Sequence, residues 1–317
     1  MKFKKPKFWD LNKPNFISYI LFPLTLIIRI SNFFLDNSSP FKNKAIKTIC
    51  IGNIYIGGTG KTPTTIKLYN ITKKLGFDVI TAKKFFKDEK DEHTILKEKT
   101  NLITAKTRCE IIRSGIKKNT DLIIFDDGLQ DKKVYYDIKF VCFNTDEWIG
   151  NGQLIPSGPL REKLSSLKKY DAVFIKGHDL IISKKIFQII KKINPAIKIY
   201  FTNYKVLNLD NFDLTKKYLL FSGIGSPKNF KNLLIKENFQ IDFEMVFPDH
   251  YKYKNSDILN ILSNAKNLNT RIITTKKDYV KVPEEFKNKI DYLEVDLKIN
   301  EEENLINFLK QKLNEKY

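Results

Sequence analysis

An α/β protein with a doubly wound parallel sheet is the fold class that this 317-residue sequence predicts. Three observations predict it. Short apolar runs rich in β-branched residues alternate with segments of helical spacing, glycine turns punctuate them, and acids close one of the most apolar runs. The first strand is "AIKTICIG" (45–52), which ends in a glycine-rich loop. "PTTIKLYNITKKLG" (63–76) follows with helical spacing and a closing glycine. "FDVITA" (77–82) reads as the next strand, and the charged stretch 83–99 leads into a helix. "DLIIFDDGLQ" (121–130) has the continuous apolar character of a buried parallel strand, with acids at its carboxyl end. "IKFVCFN" (138–144) and "DAVFIKG" (171–177) repeat the pattern. In such a sheet the site lies at the carboxyl ends of the strands.

Past residue 200 the pattern restarts. "KYLLFSGIGSPKNFKNLLIKENF" (217–239) is strand, glycine turn and helix, and "RIITTKKDYVKVP" (271–283) and "IDYLEVDL" (290–297) read as further strands. A second, smaller α/β domain is therefore expected, bounded near "NYKVLNLDNFD" (203–213), where Asn and Asp cluster. The expected division is an N-terminal segment over 1–36, a main domain over 37–207 and the smaller domain over 208–317. The last helix, "EEENLINFLKQKL" (301–313), could pack on either unit.

The chain carries 56 Lys and Arg against 36 Asp and Glu, a formal net charge of +20. That balance attracts polyanions, whether nucleic acid, anionic lipid headgroups or phosphorylated substrates. No nucleic-acid-reading motif accompanies it, so no nucleic-acid partner is expected. Cys50, Cys109 and Cys142 sit in or beside apolar runs without metal-ligand spacing, and read as small buried residues of a reducing compartment. The N-terminus is basic, "MKFKKPKFWDLNKPN", and an apolar run, "FISYILFPLTLIIRISNFFL", follows it. Pro23 and Arg29 interrupt that run, so it lacks the roughly 18 uncharged residues needed to span a bilayer. An amphipathic, membrane-associated helix fits better, with Lys and aromatic side chains at headgroup depth on an anionic surface.

The stretch "GNIYIGGTGKTPTT" (52–65) carries the chemistry. A strict phosphate loop expects glycine at 55, where Tyr55 stands; the Gly57–Gly58 pair can supply the turn instead. Within Gly57, Gly58, Thr59 and Gly60 the backbone can approach phosphate oxygens at a helix N-terminus. Lys61 can reach the β- and γ-phosphates, and the Thr62 hydroxyl suits Mg²⁺. Asp126 and Asp127 close an apolar strand, and one of these carboxylates can hold the metal beside the loop. ATP and Mg²⁺ are thus the expected cofactors, on a sheet of the P-loop NTPase kind.

Several motifs together resemble a known family. "GNIYIGGTGKTP", "DDGLQ", "GNGQLIPSGPLRE", "FSGIGSPKNF", "FPDHY" and "TTKKD" occur here in the order seen in tetraacyldisaccharide 4′-kinases, the lipid A 4′-kinases of Gram-negative bacteria. The resemblance covers about residues 45–282, and "GNGQLIPSGPLRE" is its most specific part. It implies transfer of the ATP γ-phosphate to the 4′-hydroxyl of a lipid A disaccharide precursor, at the cytoplasmic face of the inner membrane. It also implies phosphate and metal roles for Lys61, Thr62, Asp126 and Asp127. The family's catalytic Asp opens a helix in an Asp-Glu pair, matched here by Asp91–Glu92. Its His partner is matched by His250. In such a dyad the imidazole orients a carboxylate that accepts the sugar hydroxyl proton.

The sequence departs from the family pattern in two places. "AKKFFKDEK" (82–90) stands where an Arg-Gly-Tyr-Gly-type run is usual, with Lys83 in place of Arg; and Asp131 replaces a His after "DDGLQ". Two other functions compete. A membrane-associated switch ATPase without an organic acceptor would share the loop and the leader, but it usually carries a Lys where Ile56 stands. A GTPase would use "TKKD" (275–278) to read guanine, but "DDGL" does not supply the Asp-x-x-Gly spacing.

Overall fold

The computed structural model describes residues 5–36, 39–85, 90–177 and 180–314. In chain order the first elements are α1 (Phe16–Asp36), β1 (Lys47–Gly52), α2 (Lys61–Lys74), β2 (Val79–Lys84), α3 (Lys90–Lys99), β3 (Leu102–Ala105) and α4 (Arg108–Lys117). Then come β4 (Leu122–Asp126), β5 (Ile138–Asn144), β6 (Ala172–Lys176), α5 (Leu180–Ile193), β7 (Lys198–Val206), β8 (Lys217–Ser222) and α6 (Pro227–Lys236). The last are β9 (Gln240–Val246), α7 (Asn255–Asn267), β10 (Arg271–Thr275), α8 (Lys276–Tyr279), β11 (Asp291–Leu293), β12 (Val295–Ile299) and α9 (Glu302–Asn314).

The strands form two sheets. The larger has the order β12-β7-β6-β5-β1-β4-β2-β3 and the smaller β11-β10-β8-β9. From β7 to β3 every neighbouring pair is parallel, as are all pairs of the smaller sheet. Such strands are covered on both faces, and β1, β4 and β5 are almost wholly buried. The chain leaves β1 toward β2 and β3, returns to insert β4 beside β1, and then adds β5 on the other side. That reversal makes the carboxyl ends of β1, β4 and β5 the switch point, where a ligand crevice forms.

The chain divides into two compact units at more places than the sequence indicated. Residues 90–98 and 204–297 form the smaller unit; the other described residues form the larger. The chain crosses within β7 and returns within β12, so "IDYLEVDL" is two strands: β11 joins the smaller sheet and β12 the larger. The expected single boundary at 207/208 is therefore replaced by several crossings. The last helix belongs to the larger unit, for three reasons. Leu305 and Leu309 are fully buried, the Phe308 ring lies 6.0 Å from that of Phe140, and Glu302 pairs with Lys67 at 2.9 Å. Strands β3, β7 and β9 carried no clear signal. β3 is short and half-buried, and β9 is an edge strand whose acids interrupt its apolar residues.

The N-terminal segment belongs to the larger unit as well. Asn15 caps α1, its side chain accepting from Ser18 N at 3.0 Å. The polarity of α1 is then inverted. Ser18 and Thr25 are buried, with Ser18 Oγ accepting from Asn151 and its carbonyl from Ser157, while Ile17, Ile20, Leu24 and Ile27 are 47–66% exposed. Trp9, expected at headgroup depth, is instead 1% exposed and donates from its indole to Pro156 O at 3.0 Å. The 150–159 loop supplies the acceptor that its buried indole needs.

Candidate functional site

The phosphate loop joins β1 to α2 in the larger unit. Gly60, the N-cap of α2, sits in the left-handed region at φ 86°, which glycine adopts without penalty. Gly57 is held at φ 151°, and a Cβ there would meet the Tyr55 ring at 2.8 Å. Asn53 closes the loop, donating to Thr59 Oγ1 at 3.1 Å and to Gly57 O at 3.4 Å.

Tyr55, the residue that breaks the strict pattern, is fully buried. Burial, with the carboxylates of Glu147 and Asp10, pushes its phenol well above the ordinary range, so it donates to Asp10 at 3.0 Å. The ring fills the space under Gly57, and a glycine at 55 would leave it empty. The outer wall of the loop is "GNGQLIPSGPLRE": Ile56 N donates to Pro159 O at 2.9 Å and Arg161 N to Ile54 O at 2.8 Å. Gln130 of "DDGLQ" ties the two together. Its amide nitrogen donates to Asn53 O and Glu162, and its oxygen accepts from Arg161 at 3.1 Å. Tyr170, whose phenol burial and Glu162 push up, donates to Glu162 at 2.7 Å and fixes that carboxylate.

Beneath the loop, β4 delivers the two acids. Asp126 is buried; one oxygen accepts from Thr62 Oγ1 at 3.0 Å and from Lys83 Nζ at 3.0 Å, the other from Thr65 at 3.3 Å. Asp127 takes a left-handed backbone at φ 60°, which turns its side chain to Lys61 Nζ at 3.6 Å and Arg161 at 3.3 Å. Arg108, at the start of α4, holds that turn by donating to Asp127 O, and is itself paired with Asp131 at 2.7 Å. Asp131 thus serves the Asp127 turn through Arg108.

Loop and acids therefore converge as expected, but three of their partners were not foreseen. Lys83 is beside Asp126 because β2 pairs with β4, with Ala82 opposite Phe125. Arg108 and Arg161 come from segments remote in sequence, and only the quoted motif around Arg161 hinted at one of them. Cys50 and Cys142 are buried free thiols, pushed up by burial, Cys142 to about 12, which leaves them inert.

The smaller unit carries a second polar cluster, near the carboxyl ends of β8, β9 and β10. His250 has φ 56°, and its backbone N donates to Gly223 O at 3.2 Å. Its Nε2 lies 3.3 Å from Lys277 Nζ and 3.8 Å from Glu92 Oε1; Lys277 also pairs with Glu92 at 3.2 Å and Asp249 at 3.6 Å. Asp91 lies in the first turn of α3, and its side chain falls outside the described residues, as do Asp88 and Glu89. Asp278 of "TKKD" is fully buried. Its carboxylate accepts from Gly223 N, Thr275 Oγ1, Tyr253 OH and Lys281. With both oxygens occupied inside the unit, it cannot read a guanine base.

Three comparisons with known proteins agree. The sequence model of the family described as tetraacyldisaccharide-1-P 4′-kinase matches residues 18–314. A tetraacyldisaccharide 4′-kinase of Pelagibacter ubique is 44% identical over 318 residues, covering 100% of both chains, and one of Rickettsia akari is 34% identical over 95% of this chain and 94% of its own. Among solved structures, LpxK from Aquifex aeolicus in complex with ATP superposes with a TM-score of 0.68 at 19% identity, covering 94% of this chain and 99% of that one. The last likeness establishes the fold.

Proposed function

Because the chain belongs to the tetraacyldisaccharide 4′-kinase family, we propose that it transfers the γ-phosphate of ATP to the 4′-hydroxyl of a tetraacyldisaccharide 1-phosphate. The observation that carries this is the knitting of "GNGQLIPSGPLRE" onto the phosphate loop through Pro159, Arg161 and Gln130. A generic phosphate loop needs no such wall; here the family's most specific motif shapes the loop itself. Incubating the full chain with γ-labelled ATP and the disaccharide lipid in micelles tests it. Label on the lipid is the expected result. Phosphate release that ignores the lipid would instead mark a switch ATPase.

The residues present fit ATP and Mg²⁺. Gly57 and Gly60 leave backbone room for phosphate oxygens, and Lys61 and Arg161 supply positive charge. Thr62 and Asp126 would hold Mg²⁺, with Asp127 beside them. Few protein oxygens suit a cation that prefers phosphates and water as its other ligands. Bound there, Mg²⁺ would neutralise charge on the phosphates. Asp126→Asn should raise the Mg²⁺ concentration for half-maximal rate about tenfold or more, since a neutral amide is a poor ligand for a hard cation. A magnesium titration, with Tm as a check on folding, measures this; an unchanged requirement removes Asp126 from the metal.

Among the described residues no helix is long and apolar enough to cross a membrane. We place the protein on the cytoplasmic face of the bacterial inner membrane through α1, in which Ser18 and Thr25 are buried while Ile17, Ile20, Leu24 and Ile27 are exposed. Ile17, Ile20, Leu24 and Ile27 recur at helical spacing and fit an apolar, anionic-headgroup interface. Deleting the leader would also remove the buried Trp9, so substitution is the cleaner test. Changing all four to Ser should cut partitioning into anionic vesicles at least about a hundredfold, at roughly 1.5–3 kcal/mol for each fully buried side chain. Undiminished sedimentation with vesicles would place the membrane contact elsewhere.

A further inference from the structure

At the end of β2, Lys83 is a buried ammonium. Its side chain is 3% exposed and lies 3.0 Å from an Asp126 carboxylate that is 0% exposed. The oxygen it contacts also accepts the Thr62 hydroxyl, so the two groups expected to serve Mg²⁺ already share an oxygen with a fixed cation. Burying a lysine is unfavourable unless a carboxylate meets it, so this pair belongs to the resting site. Around the two acids stand Lys61, Lys83 and Arg161. The Lys83 ammonium therefore offsets the Asp126 charge at the oxygen a metal would have to share, in surroundings where charges act strongly on one another. That ammonium repels a dication and attracts a polyphosphate.

We propose that Lys83 acts as an internal counter-cation on Asp126 that keeps Mg²⁺ out of the nucleotide-free site, so that metal enters only with the negative charge of the nucleotide. Lys83 thereby positions Asp126 before nucleotide arrives and orders the binding. This rests on the nucleotide reading above.

The test uses the full chain and two probes applied separately. Mn²⁺ is followed by its spin resonance without nucleotide, and a non-hydrolysable ATP analogue is followed without metal. Wild type should bind Mn²⁺ weakly and the analogue measurably. Lys83→Gln should move the two affinities in opposite directions: Mn²⁺ at least about tenfold tighter and the analogue about tenfold weaker, because one charge repels the first and attracts the second. Lys83→Arg, which keeps the charge, should restore both. A merely structural role predicts that both affinities weaken together, and that result overturns the proposal, as does unchanged Mn²⁺ affinity in Lys83→Gln. Lys83→Met serves as a second neutral variant if Gln unfolds the chain. Micromolar Mn²⁺ binding by nucleotide-free wild type also overturns it, with no variant needed. If wild type binds no analogue with or without metal, the nucleotide reading itself falls, and this inference with it.

Discussion

Lys61→Ala should lower kcat for γ-phosphate transfer by about a thousandfold, the scale of removing one preorganised charge contact from a transition state. Lys61 opens α2 directly after the glycine loop, and its ammonium lies 3.6 Å from Asp127, at the face where phosphate is expected. The loss should be catalytic and not structural, because Asp127 keeps its contacts with Arg161 and with the backbone turn that Arg108 secures. Tm should therefore stay near wild type while single-turnover transfer of labelled phosphate collapses. Lys61→Arg should recover only part of the rate, since a planar guanidinium cannot occupy the space of an ammonium between loop and acid. Wild-type kcat in Lys61→Ala would end the assignment of this loop to phosphate.

How much of this was legible in the sequence follows from how local each feature is. Strand β1, its glycine loop and α2 are contiguous, so alternation, Gly60 and the helical spacing of 63–76 were enough to place them. Asp126 was legible for the same reason: it ends an uninterrupted apolar strand. Lys83, Arg108 and Arg161 were not, because their partners are fixed by strand order and by a loop that folds back from residue 161 to residue 54. The inverted α1 was half legible. Its apolar residues are plain in the sequence, but that Ser18 is buried depends on Asn151 and Ser157, more than a hundred residues away. The assignment of 90–98 to the smaller unit rests on pairs such as Glu92–Lys277, across 185 residues, which no local pattern encodes.

Loss of the base that takes the sugar proton should be the other large effect. We propose Asp91 for that role, with His250 orienting it, and expect Asp91→Asn to lower kcat by about a hundredfold or more, the usual scale for general-base loss. KM for ATP should barely move, because the phosphate contacts belong to the loop in the larger unit. His250→Ala should cost less, and the double variant should be little worse than Asp91→Asn alone, since members of one unit are not additive. The sequence leaves open which acid within 88–92 is the base, and the polar cluster gives one of them, Glu92, a definite place. Glu92, adjacent in the chain, lies 3.8 Å from His250 Nε2 and pairs with Lys277 at 3.2 Å. Paired with that ammonium, Glu92 is engaged in holding Lys277 and His250 in place. Glu92→Gln should therefore cost only several-fold, through a less firmly placed His250. Acceptor-independent ATP hydrolysis should survive in all of these variants and serves as the control for an intact nucleotide site. A hundredfold loss in Glu92→Gln together with near-normal kcat in Asp91→Asn would transfer the base to Glu92. Multiplicative loss in the Asp91–His250 double variant would make His250 an independent contributor and dissolve the dyad.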